Sequence, residues 1–172
     1  MSLDLASLIR DVPDYPTPGV LFKDITPLLA SPEGLRAVVD RIVEAHPRGT
    51  VDKVVGMEAR GFLLAAPVAY QLGAGVVPVR KPGKLPREVH ERSYDLEYGS
   101  NTLAVHQDAF APGDRVLVVD DVLATGGTAA ATVHLVELCG ATVTGFAVLL
   151  ELAFLDGRAK LPGVDVQALL TI

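Results

Sequence analysis

The hydrophobic residues of this chain follow two spacings, one typical of buried strands and one typical of helices. Short runs rich in valine, bounded by glycine, proline or charged residues, favour buried strands. They predict strands over 53–57, 75–79, 116–119, 142–150 and 166–170.

Longer segments place apolar residues three and four positions apart, which predicts helices that bury one face. The clearest begins at Ser31-Pro32-Glu33, because serine caps a helix and proline suits its first turn, and it is expected to end before Pro47. Further helices are predicted over 61–72 and 129–138, and a short one at the N-terminus ends before Pro13.

Strands that alternate with helices predict an α/β domain whose sheet carries helices on both faces. Residues 80–92 carry many charges and no apolar period, so we expect a loop there, followed by a hairpin over 93–97 and 102–105. The proline-rich residues 13–19 are expected to be irregular. Ligands of such sheets bind beyond the carboxyl ends of the strands, so the residues there are the first candidates for chemistry.

Composition narrows the partners of the chain. Its 172 residues, 49% of them hydrophobic, suffice for one domain with a sizeable core. A formal net charge of -6 argues against nucleic-acid binding, which needs a basic face. We expect no membrane segment, because no apolar run approaches the ~20 residues that span a bilayer. The N-terminus lacks a signal-peptide pattern and the single Cys139 excludes an intrachain disulfide, so we expect a cytoplasmic location.

The most informative stretch lies at residues 116–128. A valine-rich strand leads to Asp120 and Asp121, which are expected at its end, and a Thr-Gly-Gly-Thr turn at 125–128 opens a helix. The N–H groups at a helix start are unpaired donors that hold phosphate, and carboxylates accept hydrogen bonds from sugar hydroxyls. The stretch lacks the Gly-Lys-Ser/Thr of a Walker loop and the Gly-x-Gly-x-x-Gly of a dinucleotide site. It therefore predicts a site for a phosphorylated sugar.

In this order of strand, acidic pair and Thr-Gly-Gly-Thr turn, the chain resembles the type I phosphoribosyltransferases, which use phosphoribosyl pyrophosphate (PRPP). The resemblance implies that Asp120 and Asp121 bind the ribose hydroxyls. It implies that the 5′-phosphate is bound by Ala124, Thr125, Gly126, Gly127 and Thr128. It also implies the fold of that family over residues 1–172, in which a central, mostly parallel sheet is flanked by helices. An N-terminal purine-recognition segment at 1–30 and a flexible lid loop and hairpin at 80–105 complete that fold.

Two further motifs are similar to those of the adenine-specific branch of this family. Glu58-Ala-Arg-Gly-Phe62 resembles its pyrophosphate loop, which implies pyrophosphate binding by Ala59 and Arg60. The planar guanidinium of Arg60 matches phosphate oxygens. Segment 18–27 resembles its purine-recognition segment, in which the implied adenine-binding residues are Val20, Phe22 and Lys23, with Phe22 stacked on the purine.

The cation-rich loop after residue 79 and the segment Ser93-Tyr-Asp-Leu-Glu-Tyr-Gly99 also resemble this branch. The resemblance implies a lid that contacts pyrophosphate in its own subunit or in the neighbouring one, through Arg80, Lys81 and Lys84. It implies Glu97 as the general base, and Glu97 and Arg60 as the catalytic residues. A solvated surface loop without a role is the alternative for the charged residues.

The motifs together imply an enzyme of purine salvage that transfers the phosphoribosyl group of PRPP to N9 of adenine, giving AMP and pyrophosphate. The resemblance implies a homodimer, and Mg²⁺ that binds through PRPP and water with no direct protein ligand. Two alternatives are a transferase for xanthine, hypoxanthine or guanine and a non-catalytic regulator that senses PRPP. The complete lid and the acidic balance favour the enzyme.

Overall fold

The centre of the fold is a five-stranded sheet, which a computed structural model describes together with the rest of residues 3–95 and 99–172. The strands in chain order are β1 (Arg10–Pro13), β2 (Leu21–Asp24), β3 (Lys53–Met57), β4 (Gly75–Val79), β5 (Val89–Asp95), β6 (Ser100–His106), β7 (Arg115–Leu123), β8 (Thr142–Glu151) and β9 (Val166–Thr171). The helices are α1 (Thr26–Ala30), α2 (Pro32–Glu44), α3 (Arg60–Leu72) and α4 (Gly127–Leu138). No helix within these ranges has both the length and the apolar character to cross a bilayer.

The central sheet has the strand order β4-β3-β7-β8-β9, and each neighbouring pair is parallel. Successive side chains of a strand point to opposite faces, so each strand feeds two cores. Val54 of β3 packs with α2 and α3 on one face, and Val55 packs with α4 on the other. The predicted α/β fold is therefore confirmed, and a parallel sheet brings the carboxyl ends of its strands to one edge.

Several predicted elements are confirmed closely. Strands β3 and β4 have the predicted bounds, and α2 begins after Ser31, whose hydroxyl accepts a hydrogen bond from the Gly34 N–H at 3.0 Å. Helix α3 runs through Pro67, as its apolar period indicated. These segments combine a strong apolar period with a clear start or stop signal, so local sequence suffices to predict them.

The N-terminal prediction is wrong in type. The expected helix is a 3₁₀ turn over Ala6–Leu8, followed by β1, which pairs antiparallel with β2. Of the segment expected to be irregular at 13–19, Pro13 ends β1 and the rest lies in the connection between these two strands. The apolar residues from Leu3 to Ile9 are compatible either with a helix or with a turn that buries Leu5. The pairing of β1 with residues 21–24 decides in favour of the turn.

The hairpin begins earlier than the sequence indicates. Strand β5 starts at Val89, inside the segment expected to be a loop, and pairs antiparallel with β6. Most of its side chains are exposed, so backbone pairing rather than an apolar pattern defines the strand. Residues 96–98, and with them the predicted base Glu97, lie outside the described residues.

The predicted end of the strand at 116–119 is also wrong. Strand β7 continues to Leu123, so Asp120 and Asp121 lie within it rather than after it. The pairing of β7 with β3 stops at Val119, whereas its pairing with β8 continues to Leu123. The acidic pair therefore lies where β7 has lost one neighbour, and the gap on that side opens the site.

Candidate active site

Two adjoining cavities open at the carboxyl ends of β3 and β7. The smaller, of about 80 Å³, is lined by Asp120 and residues 122–129. The larger, of about 380 Å³, is lined by residues 20–23, 58–60 and 120–122 together with Ala124, Thr128 and Leu152. The cavities share Asp120, Val122, Ala124 and Thr128. The structure therefore brings the predicted phosphate, ribose, pyrophosphate-loop and purine motifs to one continuous site.

Residues 124–128, here called the phosphate loop, are held in a tight turn before α4. Gly126 has φ +79°, a conformation that suits glycine, and it caps the helix. A Cβ on Gly126 would collide with the carbonyl oxygen of Gly157. Thr125 is exposed and Thr128 half-buried, while both glycines are buried. The loop thus presents the start of α4, with its unpaired N–H groups, to the small cavity.

An ion pair between the exposed Arg158 and the buried Glu151 fixes the segment behind the phosphate loop. Arg158 donates two hydrogen bonds to the buried Glu151 carboxylate, at 2.6 and 2.8 Å, and a third to the Val166 carbonyl at 2.9 Å. This pairing places Gly157 directly against the backbone of Ala124 and Gly126. This support is not predictable from the sequence, because no apolar period or motif links residues 151–158 to the loop.

The two carboxylates of the acidic pair, Asp120 and Asp121, have different surroundings. Asp121 is 5% exposed, and its Oδ2 lies 2.7 Å from Arg60 Nε, an ion pair in which the N–H does not point at the oxygen. Asp120 Oδ1 accepts a hydrogen bond from the Asp121 N–H at 2.9 Å. Burial and the neighbouring carboxylate of Asp121 raise the pKa of Asp120 well above its ordinary value. A Cβ on Gly61 would lie 2.8 Å from Asp120 Oδ1, so the start of α3 needs glycine to approach the pair.

Arg60 connects the acidic pair to the predicted purine segment. Its guanidinium carbon lies 5.0 Å from the centre of the Phe22 ring, a cation–π arrangement. The Tyr15 ring also packs against the Phe22 ring in an edge-to-face arrangement, with centroids 5.1 Å apart. Val20 is exposed and lines the larger cavity, and its contact with adenine stays a prediction.

Three other residues that line the larger cavity differ from the sequence-based prediction. Lys23 lines it, but its Nζ forms an ion pair with Asp11 at 2.7 Å. Val122 and Leu152 add apolar walls that the sequence analysis missed. Both look like ordinary strand or loop residues in the sequence, so only their place around the cavity distinguishes them.

The predicted lid cations lie outside the lining of these cavities. Arg80 Nε is 3.2 Å from Glu58 Oε2, which also accepts a hydrogen bond from the Lys81 N–H at 3.0 Å. These contacts, that of Lys81 first, hold the pKa of Glu58 below its ordinary value. Arg80 Nη1 also donates to the Lys84 carbonyl at 3.1 Å. Glu58 therefore links the lid base to the larger cavity, while the Lys81 and Lys84 side chains are exposed.

Comparison with known proteins identifies the family that has this arrangement. The family model for the phosphoribosyl transferase domain matches residues 24–164 of this chain. An adenine phosphoribosyltransferase of Acidothermus cellulolyticus is 61% identical over 168 residues, which cover 98% of this chain and 95% of that protein. The chain belongs to the adenine phosphoribosyltransferases.

Solved structures of adenine phosphoribosyltransferases agree with this assignment. The one from Thermoanaerobacter pseudethanolicus superposes with a TM-score of 0.94 at 47% identity, covering 98% of each chain. The one from Trypanosoma brucei was solved in complex with AMP, pyrophosphate and ribose-5-phosphate; it has a TM-score of 0.89 at 28% identity and covers 97% of this chain and 78% of that one. The type I phosphoribosyltransferase fold and the predicted family are thereby confirmed.

Proposed function

We propose that the chain holds PRPP along the continuous cavity, with the 5′-phosphate at the phosphate loop and adenine beside Phe22. The chain transfers the phosphoribosyl group of PRPP to adenine, giving AMP and pyrophosphate in purine salvage. The observation that carries the placement is the sharing of Ala124 and Thr128 by both cavities, with Asp120 between them. A phosphate at one end and a purine at the other are then joined by a ribose over the acidic pair.

The phosphate half of the site has the chemistry to bind a phosphomonoester. Unpaired N–H groups and the helix dipole at the start of α4 favour an anion, and the Thr125 and Thr128 hydroxyls add donors. Asp120 and Asp121 line the larger cavity and can accept hydrogen bonds from two ribose hydroxyls. Because burial raises the pKa of Asp120, sugar hydroxyls that donate to it also relieve an unfavourable charge.

The purine half is an apolar slot with one aromatic face. Phe22, Val122 and Leu152 line it together with Val20, whose exposed side chain adds apolar surface for the base. Lys23 lies at the same wall, with its charge shared with Asp11. The T. brucei relative, in complex with AMP, supports a nucleotide in a site of this fold.

Breaking the C1′–O bond of PRPP leaves pyrophosphate with a growing negative charge. We assign its stabilisation to the Ala59 backbone and the Arg60 guanidinium at the larger cavity, joined by Arg80, Lys81 and Lys84 when the lid covers the site. A closed lid also excludes water, which would hydrolyse PRPP. Glu97 receives the N9 proton of adenine in this scheme.

Mg²⁺ would bind through PRPP and water, with no direct protein ligand. The Asp120 and Asp121 carboxylates line the larger cavity and can accept hydrogen bonds from the water that Mg²⁺ retains. Mg²⁺ bound to PRPP would neutralise charge on the leaving pyrophosphate. The residues of the chain position the substrate around it.

We propose that the enzyme is a homodimer joined through the outer face of α3 and the adjacent edge strand β4. Leu63 and Tyr70 lie two turns apart on one face of α3 and are 56% and 86% exposed, and Val76 of β4 is 51% exposed. Large apolar side chains grouped in this way favour a protein partner. A second copy fits because α3 also carries Arg60 at its first residue, so dimer formation would steady the site. Light scattering of Leu63→Glu with Tyr70→Glu should give a monomer, and a persistent dimer would exclude this face.

We also propose a division of the chain into segments and a cellular location. We treat residues 1–172 as one domain in which 1–30 recognise the purine and 80–105 form the lid. The single Cys139, whose thiol pKa burial raises, suits a reducing cytoplasm in which we place the enzyme.

The test of the function is AMP formation from PRPP, Mg²⁺ and adenine. Parallel reactions with hypoxanthine, guanine and xanthine measure the choice of purine, and calorimetry with PRPP detects binding without turnover. We expect product with adenine and little with the other bases. PRPP binding with no AMP would indicate a sensor, and a preference for another purine would exclude the adenine assignment.

A further inference from the structure

Tyr94 is a residue of β5 that the site described above leaves without a role. Its side chain is half-buried, whereas its neighbours Ser93 and Asp95 are exposed. The ring packs on the first residue of α4, since a Cβ on Gly127 would come within 3.0 Å of Tyr94 Cδ2. The hydroxyl lies 2.8 Å from Thr128 Oγ1. Tyr94 therefore contacts the phosphate loop with both its ring and its hydroxyl.

The proton of each hydroxyl has one favourable direction once a phosphate is bound. A threonine hydroxyl has one proton to donate and two lone pairs that accept. Thr128 lines both cavities, and a phosphate oxygen there can only accept, so the Thr128 proton points to the phosphate. Thr128 Oγ1 then accepts the proton of the Tyr94 phenol. Donation into Oγ1 also polarises the Thr128 O–H, which strengthens its bond to the phosphate.

We propose that Tyr94 is a positioning residue that orients the Thr128 hydroxyl toward the 5′-phosphate of PRPP. The inference rests on the proposed placement of that phosphate at the phosphate loop. It makes the β5–β6 hairpin part of the phosphate site, through two residues 34 positions apart in the chain. Any ligand with the same phosphomonoester, AMP included, should depend on Tyr94, and adenine should not.

The first experiment removes only the phenol oxygen. Tyr94→Phe should raise the KM for PRPP about five-fold, which corresponds to ~1 kcal/mol and to one neutral hydrogen bond. The KM for adenine and kcat should stay within about two-fold. The matched control is Ser93→Ala, which removes a hydroxyl pair with Thr102 at 2.7 Å from the same strand. Because Ser93 points to the opposite face, its loss should leave both KM values unchanged.

A double-mutant cycle with Thr128 separates positioning from packing. Thr128→Ala should itself raise the KM for PRPP, and Tyr94→Phe should add less than about two-fold in that background. Thr128→Ser keeps the hydroxyl, so the effect of Tyr94→Phe should return. Calorimetry should give weaker AMP binding but unchanged adenine binding for Tyr94→Phe.

Each contrary result rejects a different statement. An unchanged KM for PRPP in Thr128→Ala would reject the placement of the phosphate. A weakened Thr128→Ala enzyme in which Tyr94→Phe acts as strongly as in the parent would reject the positioning role alone. Equal loss of AMP and adenine binding with a lower Tm would assign Tyr94 to packing and also reject it.

Discussion

The phosphate loop and the lid loop over 80–88, which we propose bind the two ends of PRPP, are built in opposite ways. The phosphate loop has buried glycines, a rigid neighbour at Gly157 and a contact from Tyr94. Most residues of the lid loop are exposed, and its base is held through Glu58. We therefore expect the 5′-phosphate, which stays bound through the reaction, to meet a preformed site. We expect pyrophosphate, which must leave, to meet exposed cations instead.

The largest effect is expected at Gly126, where the phosphate loop packs too tightly for a side chain. Gly126→Ala should lower kcat/KM for PRPP by about 100- to 1,000-fold, because its Cβ collides with the Gly157 carbonyl and displaces several phosphate donors at once. Gly140→Ala is the matched control, since Gly140 has φ +80° but no atom near its Cβ position. Steady-state kinetics compares the two. Similar losses in both would mean that backbone strain, not the contact with Gly157, matters.

Arg60 lies between the two regions, so its loss should rank second. Arg60→Gln should lower kcat/KM about 10- to 100-fold, the range for a hydrogen bond to a charged group, and should also leave the buried Asp121 without its ion pair. Arg115→Gln breaks a comparable pair with Asp52 at 2.9 Å, at the beginning of β7, and should leave activity unchanged. An active Arg60→Gln enzyme would show that Arg60 serves the stability of the acidic pair alone.

Removing the lid cations should have a smaller effect, and it should lower catalytic efficiency without changing the stability of the fold. Lys81→Ala with Lys84→Ala should lower kcat/KM by about ten-fold while the Tm stays constant, because both side chains are exposed. Arg48→Ala, an exposed cation far along the chain, is the control for net charge. Kinetics and thermal melts on the same preparations decide. A large fall in Tm would contradict the view that the lid loop contributes little to the folded state.

The smallest expected effect is a gain in stability at the preformed site. The pKa of Asp120 is raised in the folded chain, so folding favours the protonated carboxyl. The stability that Asp120 contributes is therefore full below the ordinary Asp pKa and is lost as pH rises through the raised pKa of the folded chain. Asp120→Asn should therefore raise the Tm of the ligand-free protein by at least about 2 °C at pH 8, and by less at pH 5.

A control of opposite sign accompanies that experiment. Arg115 hydrogen bonds hold the pKa of Asp52 below its ordinary value, so ionised Asp52 stabilises the fold above the ordinary Asp range. Asp52→Asn should lower the Tm at both pH values. Thermal melts that gave Asp120→Asn the same sign as Asp52→Asn would show that the acidic pair is not under strain without substrate.

The regions that were predicted well are those in which local sequence and tertiary packing agree. Strand β3, helix α2 and the turn at 125–128 have an apolar period or a capping residue that specifies them without distant partners. The motifs also picked out residues that come together, since Asp120 and Arg60 line one cavity, while their binding roles stay predictions. The hairpins were predicted poorly, because exposed strands are defined by backbone partners that leave little apolar pattern.

The sequence by itself determined the α/β class, the phosphate-binding turn and the resemblance to the family, because each depends on residues close together in the chain. Tertiary structure alone decided what surrounds the turn. The contact of Gly157, held by Arg158 and Glu151, and the hydrogen bond between the Tyr94 and Thr128 hydroxyls join segments that no local pattern relates. The loss of the β3 neighbour that opens the acidic pair is likewise a property of strand register. Such features arise from packing and pairing between distant segments, which a reading along one chain does not contain.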